Sequence, residues 1–157
     1  MIDIPALIAT AASAVGLFDK IADQVQRFIK KDVPAEVQPE YRMKIEKEGD
    51  ALVSKNQGVV MQRITFADFE KLPDDVLLHI KTLERSMQNY YAIWSAVYPT
   101  LSLEIDPVKK VKIELSLRQE VLSMKNDLER ILKFLEDCGF WLDDHYLGIR
   151  DTLKNYN

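Results

Sequence analysis

The chain has little cysteine, histidine or glycine, and each shortage argues against a class of function. Its 157 residues include one cysteine, Cys138, so no disulfide can form within the chain and we expect a reducing, cytoplasmic location. Two histidines and five glycines form neither a zinc-protease motif nor a glycine-rich phosphate loop, and no serine-nucleophile motif occurs. The sequence therefore predicts a protein that is not an enzyme and uses no cofactor or small-molecule ligand.

Positive charge is also in short supply. The net charge is −4, whereas nucleic-acid binding requires a basic surface that displaces counterions, so we expect no nucleic-acid partner. With 47% hydrophobic and 29% charged residues the composition is that of a globular protein, and residues 1–157 fit one domain.

The most distinctive feature is an uncharged run over residues 4–18 at the start of the chain. Apolar residues here and beyond recur at alternating intervals of four and three, which predicts one long helix over about residues 4–31. The stripe consists of Ile4, Ile8, Ala11, Val15, Phe18, Ala22, Val25 and Ile29, with Leu7, Ala14, Ile21 and Phe28 beside it. A helix so widely apolar has to be buried in a core, a partner or a membrane.

The remaining segments predict a mainly α fold. Residues 41–46 alternate between apolar and charged, and two further strand-like runs follow at 51–54 and 59–65 after turn signals, which predicts a small β hairpin or meander over about residues 41–65. Helical periodicity then predicts helices over about residues 73–98, 107–137 and 142–155. Pro99 is expected to end the second long helix, leaving residues 101–105 as an extended connector. The predicted architecture is an antiparallel bundle of three long helices and a shorter C-terminal helix, with the β segment between the first two.

Four side chains are weak candidates for a metal site. Asp75 and His79 are spaced i,i+4 on one helix, and Asp144 and His145 begin the last helix. Imidazole with carboxylates suits a divalent first-row metal, but carboxylates are also favoured in the first turn of any helix. We prefer the interpretation without a metal. Cys138 is expected to be a structural thiol, because a helix C-terminus disfavours the thiolate.

Two further clusters have a structural and a functional interpretation. The aromatic stripe of Tyr90, Tyr91, Trp94 and Tyr98 predicts a core face, with a pocket for a flat ligand or an anchor for a protein partner as the alternatives. Lys109, Lys110 and Lys112 begin the third long helix, at the end where its dipole disfavours cations. A solvated face is the preferred explanation, and an anionic or acidic partner is the alternative.

Three functional hypotheses remain, one of which is a small-molecule or metal-dependent enzyme in which the four metal candidates meet because the second long helix and the last helix are neighbours. The first is a helical module for protein–protein interaction or self-association through the first helix, in which small residues over 9–16 let another helix approach closely. The predicted interaction residues are Leu7, Ile8, Ala11, Val15 and Phe18. The alternative is a protein that is peripheral to a membrane, with the apolar run in the bilayer. Four basic residues would then meet anionic headgroups: Lys20, Arg27, Lys30 and Lys31. In layout alone this resembles the apolar leading helix of HeLo-type cell-death effector domains, without a shared motif.

Overall fold

A computed structural model describes residues 3–30 and 41–157 of the chain, and within them the predicted mainly α fold is confirmed. The described elements are α1 (Ile4–Ile29), β1 (Lys44–Glu48), β2 (Ala51–Asn56), β3 (Val59–Ile64), α2 (Phe66–Glu70), α3 (Asp74–Leu103), α4 (Pro107–Asp137) and α5 (Asp144–Lys154). Side chains from all eight elements contribute to one hydrophobic core. The predicted helix end at residue 31 and the prolines that follow, Pro34 and Pro39, lie outside the described residues.

Helix α1 forms the centre of the bundle. Asp3 caps it by accepting a hydrogen bond from the backbone N–H of Ala6, and Pro5 occupies its first turn. The two apolar rows predicted from the sequence are buried along nearly its whole length, from Ile4 to Phe28. Burial of both rows explains why a helix this apolar is stable within the fold.

Helices α1 and α3 run in the same direction, and α4 runs opposite to both. Lys20 Nζ lies 5.4 Å from the centre of the Tyr91 ring, and Phe28 packs edge-on against Trp94 further along both helices. Tyr90 reaches Ser123 and Asp127 of α4. The β segment and α2 return the chain to the end where α1 began, so α3 starts there as well.

The β segment is an antiparallel meander in the order β1-β2-β3. Gln57 and Gly58 both have positive φ, which gives the two-residue turn that fits the twist of a β2–β3 hairpin. One face of the sheet joins the core through Ile45, Leu52 and Ile64. On the other face, ion pairs connect the three strands: Lys55 with Glu46 and Glu48, and Arg63 with Glu48.

The prediction that Pro99 ends the second long helix is wrong, because α3 continues to Leu103 with Pro99 inside it. Proline removes only one backbone donor, and local hydroxyls bond carbonyls of this turn. Thr100 Oγ1 donates to the Val97 carbonyl at 2.6 Å and Ser102 Oγ to the Pro99 carbonyl at 3.2 Å. Leu101 packs against the core, so residues 101–103 form a last helical turn instead of an extended connector.

Helix α4 matches its predicted limits and ends in a Schellman motif. Gly139 has φ +98°, a conformation that side chains other than glycine rarely adopt, and its N–H bonds the Glu136 carbonyl at 2.9 Å. The N–H of Phe140 bonds the Leu135 carbonyl at 3.0 Å, and the Phe140 ring is buried. This turn sends the chain into α5, whose residue Tyr146 packs on α1.

Candidate functional site

The five predicted interaction residues of α1 lie in the core. Leu7 is 3% exposed, and the side chains of Ile8, Ala11, Val15 and Phe18 have no exposed surface. A partner or a bilayer would reach them only if α1 left the bundle. Interaction through this stripe therefore stays a prediction that requires a second conformation.

Helix α1 is also the one helix among residues 3–30 and 41–157 that is long and apolar enough to cross a membrane, judged by length and composition. In the bundle it is a central core helix. Packing in the core is enough to explain why α1 is so apolar. A helix of the same composition could also enter a bilayer, which is the basis of the membrane alternative.

The four weak metal candidates do not form a common site. Asp75 and His79 line a groove between α3 and α4, together with Arg130, Lys133 and Asp137. Asp144 and His145 begin α5, where the His145 ring lies against Tyr146. Across the described ranges, no group of three or more His, Cys, Asp or Glu side chains could hold a metal ion.

Cys138 is buried at the end of α4, and its environment disfavours the thiolate. Burial, with a smaller contribution from the charge of Asp137, raises the pKa of its thiol to about 12. The expectation of a structural thiol agrees with this environment, because a nucleophilic cysteine needs a lowered pKa.

The aromatic stripe of α3 serves mainly in helix packing. Trp94 is fully buried and stacks on Tyr98, with ring centres 5.1 Å apart. The Tyr90 hydroxyl lies 3.0 Å from both the Ser123 carbonyl oxygen and an Asp127 carboxylate oxygen, and burial raises the pKa of Tyr90 to about 12. These contacts join α3 to its neighbours, as the core interpretation predicted.

A polar junction between α1 and α5 was missed by the sequence reasoning. Asp19 accepts a hydrogen bond of 2.7 Å from the Tyr146 hydroxyl. Tyr146 is fully buried, and its ring stacks on Phe18. Burial raises the pKa of the Asp19 carboxyl to about 7. The charge of Asp143 also raises the pKa, while the Tyr146 hydrogen bond and Arg42 lower it. Asp19 follows an apolar stripe at the position of an ordinary surface residue, so no sequence pattern marks its half-buried position.

The largest group of exposed apolar side chains on one helix lies on α4. Val108, Val111, Leu115 and Leu122 are 64%, 55%, 57% and 42% exposed. Their intervals of three, four and seven place them on one stripe of the helix, away from the core residues Leu117, Val121 and Met124. We call this stripe, with its flanking residues Lys112 and Arg118, the α4 outer face.

The first third of α4 has no buried side chain. Within this helix the first buried residue is Leu117, so residues 107–116, about 15 Å of helix, contribute no fully buried side chain to the core. Leu103 and Ile105, in and just after the last turn of α3, are exposed by 78% and 94%. The end of the α3–α4 hairpin thus presents apolar surface that no described part of the chain covers.

The cations near this surface have no anionic partners in the described structure. Lys109, Lys110, Lys112 and Arg118 are exposed and form no ion pair with residues 3–30 or 41–157. Two nearby carboxylates are engaged locally: Glu104 accepts a hydrogen bond from the backbone of Asp106, and Asp106 caps α4. The α4 outer face therefore combines an apolar stripe with available positive charge.

Comparisons of the chain with protein-family models, with curated proteins and with solved structures found no match.

Proposed function

We propose that this chain is a non-enzymatic helical interaction module and that it binds through the α4 outer face. The observation that carries the proposal is the row of half-exposed Val108, Val111 and Leu115 on a stretch of helix that contributes no fully buried side chain to the core. Large contiguous apolar surface on a soluble protein is typical of an interaction site. The core position of α1 favours this surface over the α1 stripe for the folded protein.

The energetics of the helix support the same conclusion. Most of the stability of a helix in a protein comes from packing of its apolar face. Within residues 107–116 only Ile113 packs against the core, and it is partly buried, while Lys109 and Lys110 in the first turn add unfavourable interactions with the helix dipole, each costing up to about 1 kcal/mol. A partner that covered the apolar stripe would supply the missing contacts.

Size exclusion with light scattering, over a wide range of protein concentration, tests for self-association. The variants are Leu115→Glu on the α4 outer face and, as a control, Leu78→Glu on α3, where the side chain is 64% exposed. An oligomer that only Leu115→Glu dissociates supports self-association through this face. An oligomer that neither substitution affects contradicts the proposed surface, and a monomer requires a different protein as the partner.

Association with a membrane is the second candidate function, and the length and apolar character of α1 favour it. Co-sedimentation with anionic vesicles tests it, combined with hydrogen exchange of α1 in the bound state. Binding accompanied by loss of α1 protection supports a second conformation in which α1 enters the bilayer. Absence of binding, or binding with α1 still protected, contradicts it.

A further inference from the structure

We propose that the α4 outer face is the docking site for an acidic amphipathic helix of a partner protein. This proposal rests on the proposed function, and it adds the chemistry of the partner. Two features of the face support it: the spacing of its apolar residues, and exposed cations that form no ion pair with residues 3–30 or 41–157.

The apolar spacing suits a helix. Val108, Val111 and Leu115 are separated by three and four residues, and Leu122 follows seven residues later, the seam pattern of helices that pack side by side. The stripe extends over about 21 Å, or four helical turns. A helix with apolar residues at the same alternating intervals would bury all four side chains at once.

The charge around the stripe favours an acidic partner. Lys112 and Arg118 flank the apolar row and Lys109 lies on its first turn, whereas Lys110 lies on the opposite side of the helix, where it lines a pocket with Phe28 and Tyr98. All four are exposed without a described ion-pair partner, and the positive end of the α4 dipole adds to their potential. Glutamates or aspartates beside the partner's apolar row would offset this charge, which steers association and fixes the register of the two helices.

A second copy of the chain fits this face less well. Two copies that paired through it would bring Lys112 and Arg118 of both copies to one seam, and like charges across an interface are destabilising. An anionic bilayer also fits less well, because Ile105, the most exposed apolar residue, lies between Glu104 and Asp106. Those two carboxylates would approach the headgroups together with Ile105.

Fluorescence anisotropy of labelled synthetic helices tests the proposal on the full chain. The acidic probe carries leucines at alternating intervals of three and four over four turns, with glutamates beside them. One control peptide replaces the glutamates with lysines, and the other scrambles the acidic sequence. We expect binding of the acidic probe that weakens as salt is added, and much weaker binding of both controls.

Substitutions in the protein locate the site. Leu115→Glu is expected to weaken binding of the acidic probe about tenfold or more, because it places a charge in the apolar seam. Leu78→Glu replaces a leucine on α3 that is 64% exposed, against 57% for Leu115, and should leave the affinity for the acidic probe unchanged. The double substitution Lys112→Glu with Arg118→Glu should reverse the preference in favour of the lysine peptide. Non-specific hydrophobic binding to the surface would not produce this reversal.

The outcomes separate this proposal from the proposed function. Equal binding of the acidic and lysine peptides, or no binding of the acidic probe, overturns the acidic-helix partner. If light scattering then shows an oligomer that Leu115→Glu dissociates, the interaction surface stands and its occupant is a second copy. If vesicles of phosphatidylserine bind in place of the probe, and Leu115→Glu abolishes that binding, the occupant is a membrane. If Leu115→Glu affects none of these measurements, the proposed function fails as well.

Discussion

Replacement of Asp19 by asparagine should make the protein more stable at neutral and alkaline pH. Asp19 lies at the junction of α1 and α5, where its carboxylate accepts a hydrogen bond from Tyr146. Burial raises the pKa of this carboxyl from 3.8 to about 7. Asparagine keeps an oxygen that can accept the Tyr146 hydrogen bond, and it removes the charge whose burial is unfavourable.

The direction in which the free energy of unfolding changes with pH follows from the difference in proton binding between the folded and unfolded chains. Because the pKa of Asp19 is raised on folding, its stabilising contribution is complete below about pH 4 and is lost as the pH rises through about 7. Between about pH 4 and pH 7 the free energy of unfolding falls by about 1.4 kcal/mol per pH unit, which amounts to about 2 kcal/mol between pH 5 and pH 7. Above pH 7 we expect Asp19→Asn to exceed the wild type in free energy of unfolding by on the order of 2–4 kcal/mol.

Urea unfolding followed by tryptophan fluorescence, at several pH values between 5 and 8, measures this effect. The quantity of interest is the difference between Asp19→Asn and wild type, because both chains share the titration of every other group. Asp50→Asn, on the exposed turn between β1 and β2, is a control for the same chemical change. A difference for Asp19→Asn that stays constant across this pH range would refute the reasoning.

Other substitutions test the packing of the bundle. Phe18→Ala should lower the free energy of unfolding by about 3–5 kcal/mol in urea titrations, and a cost near zero would show that α1 is not core. Leu117→Ala should cost about 2–5 kcal/mol while Leu115→Ala stays within about 0.5 kcal/mol, and the reverse order would mean that α4 is rotated about its axis. Gly139→Ala should cost about 1–2 kcal/mol because of the positive φ, and a neutral effect would contradict the described turn. Cys138 should react with a thiol reagent only as fast as the protein unfolds, whereas rapid reaction in the native state would contradict its burial.

Hydrophobic periodicity predicted most of the fold. The rows on α1 that repeat at three and four residues are buried from Ile4 to Phe28, because the helical period fixes which residues share a face. Gly139 follows α4 in the left-handed conformation, which after a helix is most often adopted by glycine, so this turn is also marked by the local sequence. These features depend on short stretches of chain, so the sequence contains enough information to predict them.

Features that depend on distant parts of the chain were not predictable in the same way. Pro99 is tolerated inside α3 because Leu101 packs against a core built from other elements. Asp19 is half-buried where it contacts Tyr146, which lies more than a hundred residues later in the chain. Val108, Val111 and Leu115 form an apolar stripe like those that are buried, and only the three-dimensional arrangement shows that no described residue covers it.

Hydrogen exchange of the full chain, read by mass spectrometry, is the most direct test of the central claim that α1 is core and that the start of α4 is open for a partner. We predict that α1 amides from Ile8 to Val25 exchange only through global unfolding, the slowest in the protein. Amides of residues 107–116 should exchange much faster in the free protein and become protected when the acidic probe binds. Fast exchange in α1, together with strong protection of residues 107–116 in the free protein, would contradict the account.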